Sequence, residues 1–114
     1  MKPRRLIVPL LLALALVLPA TAAAKVRVVS LTTPISAGAY ATLTAAVTPA
    51  RSCSITVYYK SGPSEAQGLY PKRASSSGRV SWMWKVGTRT TSGRWPIVIS
   101  CGSAGSLRTS FVVR

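Results

Sequence analysis

Two cysteines, Cys53 and Cys101, close off the stretch that most constrains this chain. Between them lie three runs that alternate large apolar residues with small or polar ones. They are Cys53-Ser54-Ile55-Thr56-Val57-Tyr58-Tyr59, Val80-Ser81-Trp82-Met83-Trp84-Lys85-Val86 and Trp95-Pro96-Ile97-Val98-Ile99-Ser100-Cys101. A period of two is that of a half-buried strand, because successive side chains point to opposite faces of a sheet. No helical period occurs after residue 24. The chain is therefore expected to be all-β, and short strands separated by turn residues imply a sandwich or a barrel.

The head of the chain has the three-part layout of a secretory signal. Lys2, Arg4 and Arg5 form a basic start, Leu6 to Leu18 is an apolar run broken only by Pro9, and Pro19-Ala20-Thr21-Ala22-Ala23-Ala24 supplies small residues for a peptidase. Cleavage after Ala22 or Ala24 fits, and Ala24 is preferred. Removing 24 residues from 114 leaves 90, one domain over residues 25–114. The alternative, a retained anchor, is disfavoured because a spanning helix needs roughly 20 apolar residues. No later stretch is long enough to span a membrane. The expected address is extracytoplasmic: secreted, periplasmic or at the cell wall.

A chain of that length buries only about 65% of its unfolded surface, so a staple is useful. An oxidising compartment provides one, and two cysteines permit a single connectivity, Cys53 with Cys101.

Charge narrows the partners. Without Lys2, Arg4 and Arg5, the 15 basic residues become twelve, against the single acid Glu65, a net of +11. Extracellular polyanions such as wall polymers, anionic lipid or free nucleic acid are natural neighbours of such a surface, and plain solubility is the competing explanation. Lys72-Arg73 is the only adjacent basic pair after the leader. With Arg79 and Lys85, which face outward on one strand, these are the candidate polyanion contacts. Scattered charge argues against sequence-specific nucleic-acid recognition.

The inventory excludes most catalysis. General acid–base work uses His or a carboxylate, yet the chain has no His, no Asp, and Glu65 alone in a turn-rich loop. Nucleophilic triads and metal sites lack their parts, so no catalytic residue, metal or cofactor is expected. Lys60 beside Ser61, and Lys85 with Ser81, are strand-end pairs with no further apparatus. Trp82 and Trp84 share a face with Val80 and Val86, and Trp95 with Ile97 and Ile99. A stacking platform for sugars or bases is one use of three tryptophans; the structural core of a small fold is the expected one. Trp84 and Trp95 lie nearest their strand ends and are expected to be partly exposed.

Taken in order, strands are expected at Lys25–Ser30, Ala39–Val47, Cys53–Lys60, Arg79–Val86, Arg94–Cys101 and Leu107–Arg114, with a short edge strand within Leu69–Ala74, about seven in all. Thr33–Gly38 is expected as a turn or break, Ser61–Gly68 as the loosest loop and Gly102–Gly105 as a hairpin turn.

The run Ser36-Ala37-Gly38-Ala39-Tyr40-Ala41-Thr42-Leu43-Thr44-Ala45-Ala46-Val47-Thr48-Pro49 resembles the second strand of bacterial extracytoplasmic immunoglobulin-like and fibronectin-type accessory domains. Ser92-Gly93-Arg94-Trp95-Pro96-Ile97-Val98-Ile99-Ser100-Cys101 is similar to their penultimate strand. The resemblance implies an immunoglobulin-like antiparallel β-sandwich following a signal-peptide helix. It also implies a non-catalytic binding or structural role at the cell envelope, with an envelope or extracellular protein or a polyanion as partner. An accessory subunit acting on an enzyme in trans is a weaker alternative. The antibody-type marks are absent: the third strand has no Trp, and Ile99 stands where that pattern has Tyr. In such a topology Cys53 opens the third strand and Cys101 closes the sixth, so the bond should join adjacent strands of one sheet.

Overall fold

The structure is a computed structural model and describes residues 25–114. The leader expected over residues 1–24 lies outside the described residues. Eight strands follow: β1 (Lys25–Leu31), β2 (Tyr40–Thr48), β3 (Ser52–Tyr59), β4 (Gly62–Pro63), β5 (Lys72–Arg73), β6 (Arg79–Lys85), β7 (Gly93–Ser100) and β8 (Ser106–Val113). They form two layers, a sheet ordered β1-β2-β6 and a sheet ordered β4-β3-β7-β8, with β5 added to β3. This is the strand distribution of an immunoglobulin-like sandwich. Among the described residues no helix is long and apolar enough to cross a membrane.

The inner faces follow the alternation. On β2, Ala41, Leu43, Ala45 and Val47 are buried, and on β6, Val80, Trp82 and Trp84. The two strands pair antiparallel with Ala41 opposite Trp84, Leu43 opposite Trp82 and Ala45 opposite Val80. The small Ala41 leaves room for the Trp84 indole opposite it, the volume complementarity that close packing demands. Ile55 and Val57 of β3, Ile97 and Ile99 of β7, and Phe111 and Val113 of β8 close the core from the other layer. Trp84 meets Phe111 edge-on, ring centres 5.8 Å apart, across the gap between the sheets. Among the described residues, no buried one is polar or charged.

Trp82 and Trp84 are both fully buried, whereas Trp95 is only partly so and packs against the core from its rim. The expected partial exposure of Trp84 is not found. The β2–β6 ladder runs on beyond Lys85: Val86 N–H donates to the carbonyl of Ala39 at 2.8 Å, and Gly38 N–H to that of Val86 at 2.7 Å. Trp84 is therefore interior rather than terminal. Each indole N–H finds a partner, Trp82 the carbonyl of Tyr70 at 2.9 Å and Trp84 the hydroxyl of Tyr59 at 3.2 Å, which removes the penalty for burying a donor.

Cys53 and Cys101 are bonded, with Cα atoms 4.1 Å apart. They continue the β3–β7 register one step beyond Ser54 opposite Ser100. The bond joins neighbouring strands of one sheet, as expected, and so braces the layer rather than bridging the sandwich.

Three local expectations need correction. The break Thr33–Gly38 carries structure. Ile35 is buried and forms a parallel bridge with Val113, its N–H donating to Val112 and its carbonyl accepting from Arg114, both at 2.9 Å. The chain thus leaves β1 in one layer and covers the open edge of β8 in the other, shielding an edge that would otherwise invite pairing. The short strand expected within Leu69–Ala74 shrinks to Lys72–Arg73, opposite Cys53 and Ser52. The Tyr70 carbonyl is taken by Trp82, and Pro71 has no N–H to give. Gly62–Pro63, expected as loose loop, pairs with Tyr58 and Tyr59. The hairpin expected at Gly102–Gly105 is found: it joins the antiparallel β7 and β8 through a 3-10 turn at Gly102–Ala104.

Candidate binding site

The four basic residues singled out from the sequence divide between the two ends of the sandwich. Lys72 and Arg73 sit opposite Cys53 and Ser52. Arg79 opens β6 opposite Ala46, and its backbone is tied to Ser75 through Ser75 N–H to the Arg79 carbonyl at 2.8 Å and Arg79 N–H to Ser75 Oγ at 3.1 Å. These three share one end. Lys85 closes β6 opposite Tyr40, six residues along a strand from Arg79, a separation of roughly 20 Å. Lys72 is also partly committed: its Nζ donates to the Ser81 carbonyl at 2.8 Å and stands 5.4 Å from the centre of the Tyr70 ring. The structure brings Lys72, Arg73 and Arg79 to one end of the fold and leaves Lys85 at the other.

The outer face of β2 and β6 holds a feature of another kind. Tyr40 is 63% exposed, Met83 57% and Tyr70 56%. Together with Gln67 and Gly68 they line an open groove of about 490 Å³. Tyr40 and Met83 point outward because their strand neighbours Ala41, Trp82 and Trp84 point in. Tyr70 reaches the same place because the chain from Gly68 onward runs beside the free edge of β6. Gly68 makes that approach possible: its φ is +98°, and a Cβ there would lie 2.0 Å from the Met83 carbonyl oxygen. Lys85, opposite Tyr40, and Lys72, against Tyr70, place positive charge at its margins.

A second concavity, of about 570 Å³, opens at the end of the sandwich where β3 turns into β4 and where the chain crosses from β6 to β7. Sequence reasoning selected none of its residues. Lys60 lies at a strand end and Arg89 in a polar connection, and only the topology makes them neighbours.

Among the described residues, the His, Cys, Asp or Glu side chains that could hold a metal are Glu65 and the two cysteines, and both cysteines are used in the disulfide.

The sequence matches no described protein family and no curated protein. Two solved structures of titin are similar to it. One holds titin domains Z1Z2 in complex with telethonin; the match is 16% identical with a TM-score of 0.47 and covers 82% of this chain and 48% of that one. The chain thus spans about half the length of that titin chain. The other, titin M4 in a trigonal crystal form, is 13% identical with a TM-score of 0.48, covering 82% of this chain and 97% of that one.

Proposed function

We propose that the chain is a non-catalytic immunoglobulin-like module that acts outside the cytoplasm, at the cell envelope, and holds a partner protein there. The observation that carries this reading is the Tyr40–Tyr70–Met83 groove. Single exposed apolar side chains are ordinary, but three large ones gathered on a sheet face mark a contact surface. The extracytoplasmic address is supported by the layout of residues 1–24 and by the disulfide, a bond that persists in oxidising compartments. Mass spectrometry of material recovered outside the cytoplasm should give an N-terminus at or near Lys25; recovery of the intact chain from membranes would overturn the address.

A second reading treats the charge as the function, with a wall polymer, anionic lipid or extracellular nucleic acid as the partner. Eleven of the twelve cations between Lys25 and Arg114 are exposed, and Lys72 is half-buried. Salt separates the two readings. Charge-driven attraction reaches about 30 Å at 0.01 M salt and about 8 Å at 0.15 M, and its affinity falls steeply over that range. Binding of the purified protein to isolated envelopes should persist at 0.15 M salt. The double substitution Tyr40→Ser and Met83→Ser should weaken it about tenfold or more, since interface aromatics carry much of the binding energy. Loss of binding at 0.15 M by the unaltered protein, with retention on heparin, teichoic acid or duplex DNA at 0.01 M, would favour the charge reading instead.

A further inference from the structure

The concavity at the β3–β4 end is walled on one side by Tyr59, Lys60 and Ser61, and on the other by Gly87, Arg89, Thr90 and Thr91. Every polar side chain in that wall can donate a hydrogen bond, two are basic, and none is an acid. We infer that it is a binding site for one anionic sugar unit, a saccharide carrying a single phosphate or sulfate group. The site shares no lining residue with the Tyr40–Tyr70–Met83 groove, and the inference goes beyond the docking role proposed for that groove.

The wall is preorganised, which distinguishes it from charge merely spread over a surface. Lys60 and Ser61 form the two-residue turn of a hairpin, closed by Tyr59 opposite Gly62 and tightened by Ser64 N–H to the Val57 carbonyl at 2.8 Å. The facing loop is folded by Thr90 N–H to the Gly87 carbonyl at 3.1 Å. It is also pinned to β7 by Trp95 Nε1–H donating to the Thr91 carbonyl at 2.8 Å. Trp95 in turn packs edge-on against Tyr59, ring centres 6.4 Å apart. One half-buried indole therefore fixes both walls.

Tyr59 supplies the floor. Its hydroxyl oxygen accepts the Trp84 indole N–H, so its own proton remains to be donated. Desolvation by burial raises its pKa above the usual value near 10, with the Trp84 hydrogen bond opposing that in part; the phenol is a neutral O–H donor at physiological pH. Lys60 and Arg89 would take the phosphate or sulfate oxygens in charge-assisted bonds. Ser61, Thr90 and Thr91 offer hydroxyls that both donate and accept, as sugar hydroxyls do. The volume falls within the range of sites for small organic ligands, roughly 300–1,000 Å³, and is generous for a bare oxyanion.

The test is an NMR titration of the protein at 0.15 M salt with glucose 6-phosphate, glucose 6-sulfate, glucose and inorganic phosphate. At least one of the two anionic sugars should shift the amides of Lys60, Ser61 and Gly87–Thr91, and should bind about tenfold or more tightly than glucose or inorganic phosphate. Lys60→Ala and Arg89→Ala should each weaken that binding about tenfold, the loss of one charge-assisted contact. Lys72→Ala and Arg79→Ala, each an equal loss of charge at the other end, should leave it unchanged. A preference for the phosphate points to a phosphorylated envelope polymer, and one for the sulfate to a sulfated glycan. The inference is overturned if both pairs of substitutions weaken binding equally, if the shifts map elsewhere, or if neither anionic sugar binds at 10 mM, on the order of the weakest affinity worth calling a site. Envelope binding that survives Lys60→Ala and Arg89→Ala while the sugar titration fails would leave the docking reading standing without this site.

Discussion

Replacing Cys53 and Cys101 together by Ala is expected to lower the unfolding free energy by about 4 kcal/mol, within the roughly 2–5 kcal/mol seen on removing native disulfides from small secreted domains. The bond closes a loop 48 residues long in sequence, and in the chain-entropy picture a loop of that length restricts the unfolded state by about 4 kcal/mol. Little of this is offset in the folded state. The two residues already lie on hydrogen-bonded neighbours in register, and both are buried against the core. The loop runs from β3 through β4, β5 and β6 to β7, so an opened chain must find the β2–β6 and β3–β7 pairings without that constraint. For a domain of this size the loss corresponds to a fall in Tm on the order of 20 °C. Thermal and urea unfolding of the double variant beside the oxidised and the reduced protein measures it. A loss below about 1 kcal/mol in both would mean that the strand pairing alone supplies the constraint.

The features that sequence made legible are those that obey a period. Val80, Trp82 and Trp84 alternate with Arg79, Met83 and Lys85, and the structure puts the first three in the core and the second three on the surface. Cys53 and Cys101 could be placed on adjacent strands because each ends an alternating run and the fold leaves those ends side by side. Ile35 was missed because a lone buried residue in a Pro- and Gly-rich stretch has no period, and its partner Val113 comes from the far end of the chain. Trp95 was legible in its exposure and not in its role. It shares a face with Ile97 and Ile99 but sits where β7 begins, and it is half-buried as its place at the strand end implied; its bond to the Thr91 carbonyl has no signal in the spacing. The candidate sites were less legible still. Lys60 and Arg89 line one concavity because β3 and β6 end at the same pole of the sandwich, while Lys72 and Lys85 stand at opposite ends of β6 and reach one groove only through Tyr70 and Tyr40. Tyr70 joins Met83 through a backbone approach that depends on Gly68, and no spacing in the sequence encodes that approach.

The other large effect is expected at Trp84, whose replacement by Ala should lower stability by about 3–5 kcal/mol, the usual range for removing a large aromatic from a core. Three losses combine there. The indole is fully buried, and its directly opposed neighbour on β2 is Ala41, which cannot expand into the space. Its edge contact with Phe111 is one of the links between the two layers, worth about 0.5–1.5 kcal/mol beyond area burial. Its N–H also satisfies the Tyr59 hydroxyl oxygen at 3.2 Å. Trp84→Phe keeps a six-membered aromatic ring but removes the donor and the rest of the indole; it should be the milder change, since the space it leaves is much smaller than that left by Ala. Trp95→Phe should be milder in stability as well, because that ring is half-buried, but it should loosen the Gly87–Gly93 loop by deleting the bond to Thr91. Small domains hold only about 5–15 kcal/mol of net stability, so Trp84→Ala in the absence of the disulfide should leave the chain unfolded at 37 °C. Circular dichroism and urea midpoints of the three variants, with and without reductant, give the comparison. If Trp84→Ala fell no further than Trp95→Phe, the β6 aromatic face would not be the centre of the core.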